Sequence, residues 1–78
     1  DGVLFGLIYY EGKYIKQDIN KSIYYFDLAA NKNCPKSQYY LGQIYEYNKN
    51  NINKAIYYYS LAAKNNYPCV KKMFFLFF

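Results

Sequence analysis

Seventy-eight residues suffice for one small domain, which buries only a little over half of its unfolded surface and so depends on support from its neighbours. The chain has no His, Arg or Trp, which removes the usual general base near neutral pH and the commonest zinc and iron ligand; no metal or cofactor is expected. Its net charge of +5 comes from ten Lys scattered along the chain, a solvated outer surface rather than the Arg-rich patch that base-edge readout uses.

In chain order, the first predicted helix covers about 3–11 and contains Gly6-Leu7-Ile8-Tyr9. A loop from Gly12 to Gln17 leads to Asp18, whose side-chain oxygen suits the N-cap of a second helix over about 19–31. Within that helix Ile19, Ile23, Phe26 and Ala30 form one apolar stripe at helical spacing. Asn33 stands where a left-handed C-terminal cap is expected, and Pro35 follows at the first turn of a third helix, about 36–47, where its missing amide hydrogen costs nothing. There Leu41, Ile44 and Tyr45 share a face beside Gly42. After a short loop, Asn51 caps a fourth helix over about 52–64, with Asn66 and Pro68 repeating the cap and the proline.

The recurrence is an internal repeat. Asp18 to Ala30 reads onto Asn51 to Ala63 at an offset of 33 (51 minus 18), and Gly6 to Tyr9 reads onto Gly42 to Tyr45 at an offset of 36 (42 minus 6). The three-residue difference lies in the loop. Each unit is therefore a helix A and a helix B, over about 3–34 and 35–67, with a partial third helix A expected in 68–78. A helical Gly costs on the order of 1 kcal/mol against Ala, so Gly6 and Gly42 imply a close helix approach. The small residues Ser22/Ala55 and Ala29/Ala62 are candidates to fill it. Of the consecutive aromatics in the B helices, Phe26 and Tyr59 are expected in the core and the rest between repeats. Cys34 and Cys69 are too few for a closed zinc site and too widely separated for a C-x-x-C motif, and read as small buried or half-buried apolar residues, with a disulfide between them the alternative.

These residues resemble the Sel-1-like repeat, a tetratricopeptide-like helical pair. Leu41-Gly42 and Tyr45, with Phe5-Gly6, Tyr9 and Gly12, match its L-G-x-x-Y-x-x-G opening; Lys21-Ser22 and Lys54-Ala55 match K-A, and Ala29-Ala30 and Ala62-Ala63 match A-A. Departures are Asn33 and Asn66 in place of the Gly after A-A, Asn48 in place of the loop Gly, and Phe75 where a third Gly would stand. The resemblance implies an all-α solenoid fragment of antiparallel helix-turn-helix repeats, with Gly6, Gly42, Ala29, Ala30, Ala62 and Ala63 as structural positions. It also implies an adaptor or scaffold role, the partners being other proteins or peptides on the concave face and adjacent repeats of the same chain.

On that face, by helical phase, lie Lys36, Tyr39, Gln43 and Glu46, with Leu7 and Tyr10 the first unit's counterparts of Gln43 and Glu46. Tyr beside adaptable polar groups suits protein recognition. Catalysis is not expected: the acidic residues are Asp1, Glu11, Asp18, Asp27 and Glu46, with no pair at i, i+3 or i+4 on one helix. Alternative readings are a targeting or regulatory region attached to a catalytic domain outside this segment, or a weak, salt-sensitive polyanion-binding surface without specificity for nucleic acid. The sequon Asn20-Lys21-Ser22 reads as accidental in an Asn-rich chain. Beginning at Asp1, the sequence has the look of a segment from a longer protein. The run Met73 to Phe78 is far shorter than the ~20 residues of a membrane span, and is expected to pack on the array.

Overall fold

A computed structural model describes residues 2–65 and residue 67. Helices α1 (Gly2–Glu11), α2 (Ile19–Ala30), α3 (Pro35–Gln43) and α4 (Ile52–Lys64) follow one another, with a π-helical turn over Ile44–Asn48 extending α3, and the described residues contain no strand. The protein is thus an all-α helical-repeat fragment. The expected partial third helix in 68–78, with Asn66, Pro68, Cys69 and the Phe-rich run, lies outside the described residues.

Local chemistry sets the helix ends. The Asp18 carboxylate accepts from the Lys21 amide at 3.1 Å, and the Asn51 carboxamide oxygen accepts from the Lys54 amide at the same distance. Each satisfies one of the free donors of a helix's first turn. Asn33 takes φ +62°, and around it the Cys34 amide donates to Ala29 O at 3.2 Å and the Asn33 amide to Ala30 O at 3.0 Å. That is a Schellman closure, built on Asn because its short polar side chain tolerates the left-handed region. In the second repeat the Tyr67 amide bonds Ala62 O in the same way, at 3.0 Å.

The two A-to-B loops differ in length yet close on one bond: Asp18 N to Tyr9 O at 3.0 Å in the first, Asn51 N to Tyr45 O at 2.7 Å in the second. The π turn makes this possible. Ile8 O accepts from Gly12, four residues on, whereas the equivalent Ile44 O accepts from Lys49, five residues on. Helix A of the second repeat therefore changes from α to π geometry after Gln43 instead of running as one α-helix to residue 47. It also corrects the expectation that Asn48 takes the place of the loop glycine: the left-handed residue is Asn50, φ +52°, answering Gly12 at φ +64°.

Within each repeat the helices pack antiparallel, with the start of α1 against the end of α2. A Cβ placed on Gly2 would meet the Tyr25 carbonyl and the Ala29 side chain. At Gly6 a Cβ would come within 2.6 Å of the Phe26 ring, and at Gly42 within 2.6 Å of the Tyr59 ring. The close approach inferred from the two glycines is therefore real, but an aromatic ring fills it, not a small residue. Ser22 and Ala55 are buried beside it, and Ser22 Oγ donates to Gly6 O at 3.1 Å.

Phe26, Ala30, Leu41 and Ile44 form one buried cluster spanning both repeats; Leu7, Tyr10, Ile19, Ile23 and Tyr40 are among the residues packed around it. Ala55, Tyr59 and Ala62 form the second, with Ala63 at its edge. Between repeats, the buried Gln38 donates to Ala30 O at 3.1 Å and accepts from Asn65 Nδ2 at 3.0 Å, tying the ends of α2 and α4 together. Ser37 is also fully buried, but its hydroxyl has no hydrogen-bond partner among the described residues. Ala29 closes the α1–α2 contact at 5% exposure.

The aromatic runs divide otherwise than expected. Phe26 and Tyr59 are core, but Tyr24 and Tyr57 are exposed. Tyr25 and Tyr58 stack mainly within their own repeats: Tyr25 lies 5.8 Å from Tyr9 at 5°, and Tyr58 lies 5.6 Å from Tyr45 at 5°. Only Tyr58 also reaches across the seam, its hydroxyl donating to Asp27 Oδ1 at 3.3 Å. Three successive helical residues point about 100° apart, so one goes inward, one lies against the paired helix and one faces water.

Candidate protein-interaction site

Helix A of the second repeat carries the polar part of the candidate face. Lys36 is exposed in the first turn of α3. One turn on, Tyr39 is half-buried, with its ring 5.0 Å from Tyr67 and 6.0 Å from Tyr59; its hydroxyl accepts from Gln43 Nε2 at 2.7 Å. Glu46, in the π turn, accepts from the Tyr59 hydroxyl at 2.7 Å. These bonds join three of the four residues to fixed neighbours, and so restrict their rotamers ahead of any encounter.

On α1 the counterparts are placed differently. Leu7 and Tyr10 are half-buried against the Phe26–Leu41 cluster, and Tyr10 meets Phe26 edge-on at 6.3 Å and Tyr40 at 5.6 Å. They belong to the seam where the second repeat docks on the first. The six candidates thus divide into exposed Lys36 with half-buried Tyr39, Gln43 and Glu46 along helix A of the second repeat, and an aromatic-aliphatic pair sunk toward the inter-repeat contact.

The phenols are held neutral. Burial pushes the Tyr59 hydroxyl well above its usual range, reinforced by its bond to Glu46 and that carboxylate's charge. Burial, and then the charge of Asp27, pushes Tyr58 up to about 12. Tyr10 is raised by burial and by neighbouring Tyr40. All three remain hydrogen-bond donors near neutral pH and are not available as phenolate nucleophiles.

A further constellation was not anticipated from the sequence. Lys21 Nζ lies 5.3 Å over the Tyr9 ring, itself stacked on Tyr25; Lys54 Nζ lies 5.1 Å over Tyr45, itself stacked on Tyr58. The sandwich recurs in both repeats with nearly the same distances and gives the Lys of each K-A pair a packing role. The signal was present as Tyr9/Tyr45 and Lys21/Lys54 at their repeat offsets, but without the helix pairing nothing joined the two. Among the described residues no three His, Cys, Asp or Glu gather as a metal site would need, and no helix is long and apolar enough to cross a membrane.

Two helix pairs sharing the same caps, the same glycine under an aromatic ring and the same Lys–Tyr–Tyr stack are two copies of one structural unit. The family pattern of the Sel1 repeat matches the chain twice, at residues 4–34 and 35–67. The chain belongs to the Sel1 repeat family. Comparison with curated proteins and with solved structures gave no match. Sel1 repeats are a non-catalytic repeat family whose members generally mediate protein–protein interaction. In this pair the glycine of each Sel1 unit seats a ring of helix B, Phe26 or Tyr59, and in the first unit Ala29 closes on α1 while Ala30 packs with Leu41 and Ile44 of the second.

Proposed function

We propose that this Sel1 pair is a non-catalytic protein-binding module of a scaffold or adaptor, reading partner peptides on the helix A face of Lys36, Tyr39, Gln43 and Glu46. The observation that carries the reading is the pre-ordering of that face. The Gln43–Tyr39 and Tyr59–Glu46 bonds remove much of the side-chain entropy that a partner would otherwise have to overcome. Leu7 and Tyr10 act by fixing the angle between repeats and hence the curvature of the face. The polyanion alternative is weakened because several lysines are engaged internally: Lys21 and Lys54 over rings, and Lys49 donating to Asn20 Oδ1 at 3.0 Å.

Selection of peptides from a random library against the whole chain, followed by affinity measurements on Lys36→Glu and Gln43→Ala, tests this. Selected peptides should lose roughly tenfold or more in affinity for at least one variant, the scale of a central interface residue. Peptides that bind both variants as well as the parent would move the site elsewhere, and failure to select any peptide would remove the reading.

A further inference from the structure

The first repeat has an opening that the second repeat fills with its own side chains. A groove of about 320 Å³ runs between the start of α1 and the end of α2, lined by Gly2, Val3, Leu28, Ala29, Lys32 and Cys34. By the repeat offsets, the same positions in the second repeat are Gln38, Tyr39, Leu61, Ala62, Asn65 and Tyr67. There the rings of Tyr39 and Tyr67 stack at 5.0 Å and 27°, and the Asn65 carboxamide donates to Gln38 Oε1 at 3.0 Å. Val3 and Cys34 replace the two rings and Gly2 removes the carboxamide, while the bond that closes the end of helix B, Cys34 N to Ala29 O and Tyr67 N to Ala62 O, is shared by both repeats. Leu28 is left 46% exposed, where its counterpart Leu61 is half-buried.

We propose that this groove is a socket for one aromatic side chain of a partner peptide that also carries a carboxylate next to the aromatic residue. This deepens the protein-binding reading and rests on it. The second repeat shows which shape the scaffold accepts at this place: flat rings packed by Ala62, the counterpart of Ala29. The volume stands at the small end of ligand pockets, suited to a single side chain rather than an extended segment. The carboxylate follows from Lys32. Lys32 is exposed and is the charged side chain among the residues lining the groove, where its counterpart Asn65 is neutral, so a carboxylate on the occupant complements it. A second copy of this chain fits poorly, being rich in aromatics but at +5 with only five acidic residues. An acidic, tyrosine- or phenylalanine-bearing peptide matches both the ring slot and the charge.

The probe is a short amide-capped peptide with one tyrosine followed by one aspartate, titrated into the isotope-labelled whole chain and followed by NMR. The amides of Gly2, Val3, Ala29, Lys32 and Cys34 should shift together. Replacing the tyrosine by leucine should weaken binding roughly two- to tenfold, the margin of ring–ring geometry over area alone. Replacing the aspartate by asparagine should weaken it several-fold and remove its salt dependence, and Lys32→Glu should weaken it further and reverse that dependence. The double change Val3→Tyr with Cys34→Tyr, which installs the second repeat's rings, should abolish binding. Should that variant lose its helical spectrum, Lys32→Glu, at an exposed position, decides alone. No shift at millimolar peptide, equal binding of the leucine peptide, or binding that survives the filled groove would each overturn the socket. Shifts confined to Lys36, Gln43 and Glu46 would overturn it while leaving the proposed function standing. Binding at the groove that is indifferent to Lys36→Glu and Gln43→Ala would uphold the socket and remove the helix A face as the reading site.

Discussion

The two repeats place different pairs at the same point in the same backbone. In the first, Tyr10 on helix A meets Phe26 on helix B edge to face; in the second, Glu46 and Tyr59 at the corresponding positions share a 2.7 Å hydrogen bond. The polar tip of one ring has moved from helix A to helix B. The reason lies in their neighbours: Tyr10 and Phe26 are covered by Tyr40 of the following repeat, whereas Glu46 lies at a half-open edge where its charge keeps contact with water. A seam between repeats selects rings; an edge tolerates a carboxylate that a buried site would penalise. The glycine beneath the helix B ring is the same in both, because backbone approach and not surface chemistry fixes it.

The comparison breaks most severely at Phe26. Phe26→Ala removes a fully buried ring shared by both repeats and should cost roughly 3–5 kcal/mol, enough to unfold so small a domain in denaturant melts. A cost no larger than that of an exposed tyrosine such as Tyr24 would mean the two repeats are not packed as one core.

Next in size is Gly42→Leu, which drives a side chain into the Tyr59 ring and should destabilise by roughly 1–3 kcal/mol in the same melts. Gly6→Leu meets Phe26 at the same distance, so the two changes should cost similar amounts if the units are equivalent. A neutral result at either would remove the close-approach role of that glycine.

Tyr59→Phe, which gives the second repeat the first repeat's ring, should cost about 1 kcal/mol, and adding Glu46→Tyr should recover part of it as an aromatic pair. A double-mutant cycle measures the coupling. Alkaline titration sharpens the point. A phenol whose folded pKa is raised binds its proton more tightly when folded, so its contribution is complete below the unfolded value of 10.0 and is lost as pH rises through the folded one. Stability should therefore be flat below pH 10.0 and fall as pH climbs to about 12 and beyond, and Tyr59→Phe should remove the most alkaline part of the fall, read by phenolate absorbance.

The smallest effect concerns two buried hydroxyls. Ser22 donates to Gly6 O, so Ser22→Ala, the second repeat's own residue at that place, should cost about 1 kcal/mol; Ser37→Ala, which removes a buried hydroxyl with no partner among the described residues, should stabilise by about 1 kcal/mol. Thermal melts in which both changes act with the same sign would contradict the hydrogen-bond assignment.

The sequence by itself determined the four helices, the Asp18 and Asn51 caps, the left-handed Asn33, the proline opening α3 and the glycine contacts. Each of these depends on backbone geometry within a few residues, or on a spacing that the repeat states twice. What fills the glycine contacts, where the first and second aromatics of each run point, and the π turn that lets a shorter loop close on the same bond were decided by tertiary structure, because each depends on the position of a paired helix. The same holds for the candidate face. Helical phase alone grouped Leu7 and Tyr10 with Lys36, Tyr39, Gln43 and Glu46, but phase records only a direction from the helix axis. The docking of α3 against α1 and α2 sinks the first two into a seam, and the loss of two rings at Val3 and Cys34 opens a groove that becomes visible only when the repeats are compared in three dimensions.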